Sequence, residues 1–253
     1  MHPILIEIGP LRIYSYGFML ALSFFVGILL AGRRAERRGV SREIIQDLSV
    51  ILIILAVIGS RMFYIMTHRD HYHSIIDVIA LWEGGATYYG GLVLTIIGAL
   101  VFLRKKGLSF LKVADICAPS IALGIFLTRI GCFLSGCCFG TPTGCPLGVS
   151  FPADSPAGYA FPGSAVHPAQ LYSSFYGIVI FIALILFDRR KSREGALFAL
   201  LCLLYGAARF TVDFFRYYDE SAMATDSLTV NQIMSVALVL FGAALLLFLR
   251  RRK

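Results

Sequence analysis

Seven long apolar runs, separated by polar segments, follow one another along the chain. A helix needs about 20 mainly apolar residues to cross a bilayer. No backbone amide can stay unpaired in lipid, so the runs are predicted to be helices. The predicted spans are Tyr14–Ala31, Leu48–Met66, Gly90–Leu103, Val113–Leu134, Leu171–Phe187, Ala196–Phe215 and Val230–Leu249. The pattern predicts an all-α polytopic membrane protein with about seven transmembrane helices, forming a single integral-membrane domain over residues 1–253.

Composition agrees with a lipid environment. The chain has 253 residues, of which 58% are hydrophobic, and its mean hydropathy is +0.78. This apolar fraction is higher than that of ordinary soluble domains. The sequence therefore excludes a soluble globular enzyme.

Positive charge alternates from one side of the predicted helices to the other. The formal net charge is +8, and Lys and Arg cluster after the first, third, fifth and seventh spans. Examples are Arg33-Arg34, Arg104-Lys105-Lys106 and Arg250–Lys253, whereas residues 135–170 contain neither Lys nor Arg. The positive-inside rule therefore predicts a periplasmic N-terminus, a cytoplasmic C-terminus and periplasmic loops near 68–89 and 135–170. Anionic lipid headgroups account for this charge, and no nucleic-acid partner is predicted.

Four ionisable side chains fall within the predicted spans, where charge is costly and usually functional. Arg61, Arg129 and Arg209 lie in the outward halves of spans two, four and six, and Asp213 follows Arg209 by one helical turn. The arginines are interpreted as an anion site, because a guanidinium binds phosphate through two parallel hydrogen bonds. Snorkelling arginines and an internal Arg209–Asp213 ion pair are the simpler alternatives.

Aromatic residues and glycines add candidates at the same level. Tyr205 precedes Arg209 by one turn, and Tyr16 lies at a helix start before Gly17. Gly90-Gly91 opens the third span, where free backbone N–H groups favour anions. The alternatives are an interfacial aromatic belt for the tyrosines and helix packing for the glycines.

Four of the six cysteines lie between positions 132 and 145: Cys132, Cys137, Cys138 and Cys145. They fall in the loop predicted to face the oxidising side, so Cys137 or Cys138 is interpreted as a disulfide partner of Cys145. Packing by small side chains is an alternative. The spacing C-x4-CC-x6-C matches no common zinc pattern, so no metal ion is predicted, and no cofactor.

Five segments, in order along almost the whole chain, resemble the bacterial prolipoprotein diacylglyceryl transferase family. They run from Ile8 to Gly17, from Trp82 to Gly91, from Arg129 to Gly140, from His167 to Tyr172 and from Tyr205 to Arg216. The resemblance implies an inner-membrane enzyme of lipoprotein biogenesis that transfers the diacylglyceryl group of phosphatidylglycerol to the lipobox cysteine of a prolipoprotein. The implied partners are phosphatidylglycerol, prolipoproteins and membrane lipids.

The resemblance also implies roles for particular residues. Phosphate binding falls to Arg129 and Arg209, with further weight on Tyr16, Gly140, Tyr205 and Asp213. The sequence departs from the family signature, since Cys132 and Cys137 replace an Asn and a Glu, and Tyr89 replaces the histidine before Gly90-Gly91. Tyr89 is interpreted as a substitute base or as a hydrogen-bonding group that positions the headgroup.

Two other functions fit the same residues. A membrane thiol-redox protein would use Cys137, Cys138 and Cys145, and a non-catalytic lipid-binding or assembly protein would keep only the anion site. Phospholipid turnover with a lipobox peptide separates the enzyme from the binding protein, and double Cys→Ser replacement separates it from the redox protein.

Overall fold

The computed structural model describes residues 2–9, 11–67, 88–189, 193–218, 225 and 228–251. The described residues form eight helices and four short strands. The strands are β1 (Ile4–Ile8), β2 (Leu11–Tyr14), β3 (Val149–Ser150) and β4 (Ala165–Val166). The helices are α1 (Ser15–Arg37), α2 (Arg42–Thr67), α3 (Tyr88–Lys105), α4 (Phe110–Leu134), α5 (Pro156–Ala160), α6 (Ala169–Asp188), α7 (Ala196–Asp213) and α8 (Val230–Arg251).

A helix forms at each of the seven predicted spans, which confirms the prediction of an all-α membrane fold. Six of them, α1, α2, α4, α6, α7 and α8, are long and apolar enough to cross a membrane. The third, α3, has 18 residues and is not among these six. Several helices continue past the apolar run into the basic cluster, as α1 does from Ala31 to Arg37. Basic side chains at a helix C-terminus complement the helix dipole, which explains the extension.

The chain divides into two compact units. The first comprises Met1–Ala31 and Ala114–Lys253, and the second comprises Gly32–Val113. The prediction of a single domain stays a prediction.

In the first unit, α7 packs against both α6 and α8. The core beneath it includes Ala122, Ile180, Leu184 and Leu197, all buried. Small residues bring the helix axes close together: a Cβ on Gly206 would lie 2.8 Å from the Ser235 carbonyl oxygen. Close packing of this kind drives helix association in lipid, where burial of apolar surface gives no net gain.

The N-terminus of α7 is completed by a side chain from α4. Gly195 at the N-cap supplies no side chain. The buried carboxylate of Asp115 accepts hydrogen bonds from the backbone N–H groups of Gly195 and Phe198, each at 2.8 Å. A negative charge at this position also complements the helix dipole. This capping accounts for a buried acid that the sequence pattern does not explain.

Two small antiparallel sheets lie outside the long helices of the first unit. Strands β1 and β2 form a hairpin that leads directly into α1, and β3 pairs with β4 between α4 and α6. The hairpin places Tyr16 in the first turn of α1, as the sequence predicted for a helix start.

The second unit is built on α2 and α3, which approach closely through glycines. A Cβ on Gly59 would lie 2.6 Å from the Gly90 carbonyl oxygen, and one on Gly91 would lie 2.9 Å from that of Ala56. Gly90 and Gly91 therefore allow α2 and α3 to pack closely. Arg61 is buried in the same unit.

Candidate functional site

An ion pair on α7 is the centre of a buried polar network. Nη1 of Arg209 lies 2.7 Å from Oδ1 of Asp213, and the two residues are 7% and 4% exposed. Their i, i+4 spacing places both on one face of the helix. The internal ion pair that the sequence offered as an alternative is therefore formed.

Residues from two other segments complete this network. Nη2 of Arg209 donates to the Tyr218 hydroxyl at 2.5 Å, and that hydroxyl donates to Asp213 Oδ1. The Thr229 hydroxyl donates to Asp213 Oδ2, and Asn231 Nδ2 donates to the Tyr218 oxygen at 3.2 Å. Burial is the main cause that raises the pKa of Tyr218, and its hydrogen bond to Asp213 adds to the effect. Protein groups, rather than water, thus hold the guanidinium of Arg209 in one orientation.

Arg129 and Arg209 share the same two aromatic neighbours. Arg129, half-buried near the end of α4, lies within electrostatic range of Tyr176 and Tyr205. Arg209 is also within range of both tyrosines. The rings of Tyr176 and Tyr205 meet edge to face, with centroids 6.0 Å apart. Arg129 and Arg209 thus each lie within electrostatic range of Tyr205, a predicted site residue, and of Tyr176, which the sequence did not single out.

An apolar groove opens beside this cluster on α6 and α7. Its volume is 360 Å³, and it is lined by Tyr172, Phe175, Tyr176, Ala208, Thr211 and Val212. A larger cavity, of 560 Å³, lies in the second unit among Glu36, Arg42 and Glu43, and none of the predicted site residues lines it.

The end of α4 brings two cysteines together. The N–H of Gly136 bonds to the Phe133 carbonyl at 3.2 Å, and the N–H of Cys137 bonds to the Cys132 carbonyl at 3.1 Å. With Gly136 at φ +68°, this is the Schellman helix ending. In that ending the side chains of the third-last helical residue and of the residue after the glycine come into contact, and these are Cys132 and Cys137.

A third thiol joins them. Cys138 has φ +60°, an uncommon conformation for a residue with a side chain. The Sγ atoms of Cys132, Cys137 and Cys138 all lie within 4.8 Å of one another. Hydrogen bonds from Cys132 and Cys137 lower the pKa of Cys138, and the cations Arg216 and Arg129 lower it further. The pKa of Cys137 is raised by its hydrogen bonds with the other two thiols and by burial.

Arg129 connects the thiols to the arginine–tyrosine cluster. It lies within electrostatic range of Cys132 and Cys138 as well as of Tyr176 and Tyr205. Tyr16 is within range of all three cysteines and of Arg129. Packing explains this proximity, because a Cβ on Gly131 would lie only 3.3 Å from the Cα of Tyr16.

The loop after the cysteines is held by backbone contacts and one buried side chain. Gln170 is fully buried, and its Nε2 donates to the Cys137 carbonyl at 2.8 Å. The Gly140 N–H donates to the His167 carbonyl at 2.9 Å, and a Cβ on Gly140 would lie 2.6 Å from that same oxygen. Gly140 therefore allows close approach of two backbone segments beside the site.

Other predicted residues belong to other parts of the chain. Arg61, Gly90 and Gly91 belong to the second unit, and the side chain of Tyr89 lies outside the described residues. All six cysteines are free thiols, and Cys145 is exposed and outside the three-thiol cluster. The disulfide to Cys145 and the substrate-binding roles of Gly90, Gly91 and Arg61 stay predictions.

Several residues of the cluster were not predicted from the sequence. Tyr218 and Thr229 follow α7 in polar segments that carry no periodic signal, and Arg216 stands just beyond the apolar run. The contact between the side chains of Cys132 and Cys137 could have been predicted from the sequence, because Gly136 follows the end of the helix at the position that the Schellman motif requires.

Comparison with known proteins gives one consistent result. The sequence profile described as "Prolipoprotein diacylglyceryl transferase" matches residues 3–248. The chain is similar to proteins named phosphatidylglycerol–prolipoprotein diacylglyceryl transferase from several bacteria. The Nitratidesulfovibrio vulgaris protein is 36% identical over 252 residues, covering 96% of this chain and 93% of that protein. The Clostridium tetani protein is 31% identical over 242 residues, covering 96% and 95%. The chain belongs to the prolipoprotein diacylglyceryl transferase family.

Proposed function

We propose that this protein transfers the diacylglyceryl group of phosphatidylglycerol to the lipobox cysteine of prolipoproteins. Relatives that are named for that activity match this chain over nearly the full length of both sequences. The observation that carries the proposal is the placement of Arg129 and Arg209 around the same pair of tyrosines. Guanidinium groups suit the phosphate of a lipid headgroup, because each can bind it through two parallel hydrogen bonds.

The reaction is a substitution at carbon. The sulfur of the acceptor cysteine forms a bond to the terminal glycerol carbon of the diacylglyceryl group. The bond between that carbon and the phosphate oxygen breaks, and its electron pair leaves with glycerol phosphate. The proton lost by the thiol balances the extra charge of the phosphate monoester. Negative charge grows on the phosphate in the transition state, where fixed cations stabilise it most.

The surroundings of the arginines suit a lipid. The groove next to Tyr176 is apolar and lies on α6 and α7, two of the helices able to cross a membrane. An acyl chain in this groove would leave its headgroup at the level of Tyr176, beside the arginines.

The decisive measurement is transfer of labelled diacylglyceryl from phosphatidylglycerol to a lipobox peptide by the reconstituted protein. Replacing Arg129 by Ala removes a charge-assisted contact that strengthens in the transition state, which costs about 2–4 kcal/mol or roughly two to three decades in rate. Arg129→Lys keeps the charge but loses the two-pronged geometry, so it is also slowed.

The matched control is Arg250→Ala, because Arg250 is exposed at the end of α8. It should transfer at the wild-type rate. An inactive, correctly folded wild type would contradict the proposal, and so would an Arg129→Ala variant that works as well as Arg250→Ala.

We also propose that the protein lies in the inner membrane, with its N-terminus in the periplasm and its C-terminus in the cytoplasm. The alternation of basic clusters supports this orientation. A reporter fused after Lys253 should be active only in the cytoplasm, and one inserted near Ala157 only in the periplasm. A periplasmic C-terminus would contradict the orientation.

A further inference from the structure

We propose that Cys132, Cys137 and Cys138 bind a thiophilic divalent metal ion, with Zn²⁺ as the best fit, and that the ion takes the acceptor cysteine as its fourth ligand. This inference rests on the proposed function, since it assigns the activation of the acceptor thiol.

The distances suit a tetrahedral zinc site. Zinc–sulfur bonds of about 2.3 Å at tetrahedral angles place the sulfurs about 3.8 Å apart. The three Sγ atoms already lie within 4.8 Å of one another, so closing on an ion requires movements of about 1 Å or less. Two of the thiols are brought together by the helix ending, and the third by the left-handed conformation of Cys138. Uncommon backbone conformations of this kind concentrate at functional sites.

The three thiols supply as many protein ligands as a catalytic zinc site has. Structural zinc sites have four protein ligands, whereas catalytic sites have three and leave one position for a substrate. Among the described residues, the group contains three donors and no fourth His, Cys, Asp or Glu. The remaining tetrahedral position is therefore available to an external thiol.

The surrounding charges suit the complex. Three thiolates around a divalent ion carry a net charge of −1, and an added substrate thiolate makes it −2. Arg129 and Arg216 both lie within electrostatic range of Cys138 and offset this charge. Nε of Arg216 is buried and has no hydrogen-bond partner among the described residues. Cations beside thiols stabilise the thiolate form, which is the form that binds a metal ion.

Arg129 links the proposed metal site to the proposed phosphate site. It lies within electrostatic range of the thiols on one side and of Tyr176 and Tyr205 on the other. A phosphate held by Arg129 is thus close to a thiolate held by the metal. This is the arrangement that a substitution at the glycerol carbon needs.

The step balances without any further reactant. The acceptor thiol gives its proton to water as it binds the ion, because a coordinated thiol is deprotonated. The thiolate sulfur then bonds to the glycerol carbon, and the carbon–oxygen bond breaks toward the phosphate. The thioether product is a weaker ligand than a thiolate and leaves the ion. No electron is gained or lost by the metal.

Metal binding is tested first, on the full-length protein purified in detergent under reducing conditions. Wild type should bind about one Zn²⁺ per chain, and Co²⁺ in its place should show the absorption of tetrahedral cobalt thiolates. Both signals should disappear in the triple variant Cys132→Ser/Cys137→Ser/Cys138→Ser. They should remain in Cys145→Ser, the matched control with an exposed cysteine outside the cluster. Failure of wild type to bind metal, or a disulfide among the three thiols in its place, would overturn the inference.

Ligation of the acceptor is tested next, without any phospholipid. A lipobox peptide should change the cobalt absorption of the wild-type protein, and the same peptide with Ser in place of its Cys should not. Equal responses to the two peptides would contradict acceptor ligation.

Transfer assays then separate this inference from the proposed function. An unperturbed thiol with a pKa of about 8.5 is roughly 3% ionised at pH 7, so full ionisation on the metal gives at most about a thirtyfold gain. Chelation of folded wild type should remove up to that gain, and added Zn²⁺ should restore it. If the metal-free protein transfers at the full rate, the inference fails and the proposed function stands. If metal and acceptor bind but no transfer follows, the proposed function fails and the metal site stands.

Discussion

The ion pair of Arg209 and Asp213 allows a structural role to be separated from a catalytic one. Both side chains are almost fully buried, so removing one of them leaves the other charge without its partner. Such a loss costs about 3–5 kcal/mol of folding free energy. Arg209→Gln and Asp213→Asn should therefore each lower the unfolding temperature strongly, and inactivity of either single variant would say little about catalysis.

The double variant Arg209→Gln/Asp213→Asn answers the question. It removes both charges together, and its amides keep hydrogen-bonding groups facing Tyr218 and Thr229, which contact the pair in the wild type. Replacing both members of a buried ion pair is often close to neutral for stability. The double variant should thus recover most of the stability that each single variant loses, so the effects of the two substitutions should be strongly non-additive.

If Arg209 binds the lipid phosphate, the stable double variant should still be slow. Loss of one cation from the transition state predicts about 2–4 kcal/mol, or roughly two to three decades in transfer rate. The measurement combines thermal unfolding in detergent with diacylglyceryl transfer to a lipobox peptide. A stable double variant that transfers at nearly the wild-type rate would refute the role of Arg209 in phosphate binding and leave it a structural one.

Two further predictions concern the framework of the site. Gly140→Ala places a Cβ against the His167 carbonyl oxygen and should destabilise the loop by about 1–3 kcal/mol and reduce transfer, whereas Gly144→Ala, whose Cβ would meet nothing within 4 Å, should do neither. Thermal unfolding and the transfer assay check both variants, and equal behaviour would contradict the close-packing role. Asp115→Asn replaces the charged acceptor of two backbone hydrogen bonds and should cost about 1.5–3 kcal/mol of stability. The exposed Asp154→Asn is its control, and equal unfolding temperatures would rule out the capping role.

The positions of the long helices were predictable, because lipid forces every apolar run to satisfy its own backbone. The Arg209–Asp213 pair was also predictable from its spacing and is confirmed. The partners of that pair were not, because Tyr218 and Thr229 lie in irregular segments whose path depends on tertiary packing. The three-thiol cluster was predictable only in part. Its first two members follow from the glycine after the helix, whereas the turn that adds Cys138 requires a backbone conformation that the sequence does not favour.

The cap on α7 also has a consequence for the order in which the protein is made. Asp115 is synthesised 80 residues before Gly195, the residue whose N–H it accepts. When α7 leaves the ribosome, the carboxylate that completes its first turn already belongs to an earlier helix. The last two long helices, α7 and α8, therefore cannot form a self-sufficient part of the protein. If the chain is expressed as two separate pieces cut between α6 and α7, the C-terminal piece should depend on the N-terminal piece for its folding.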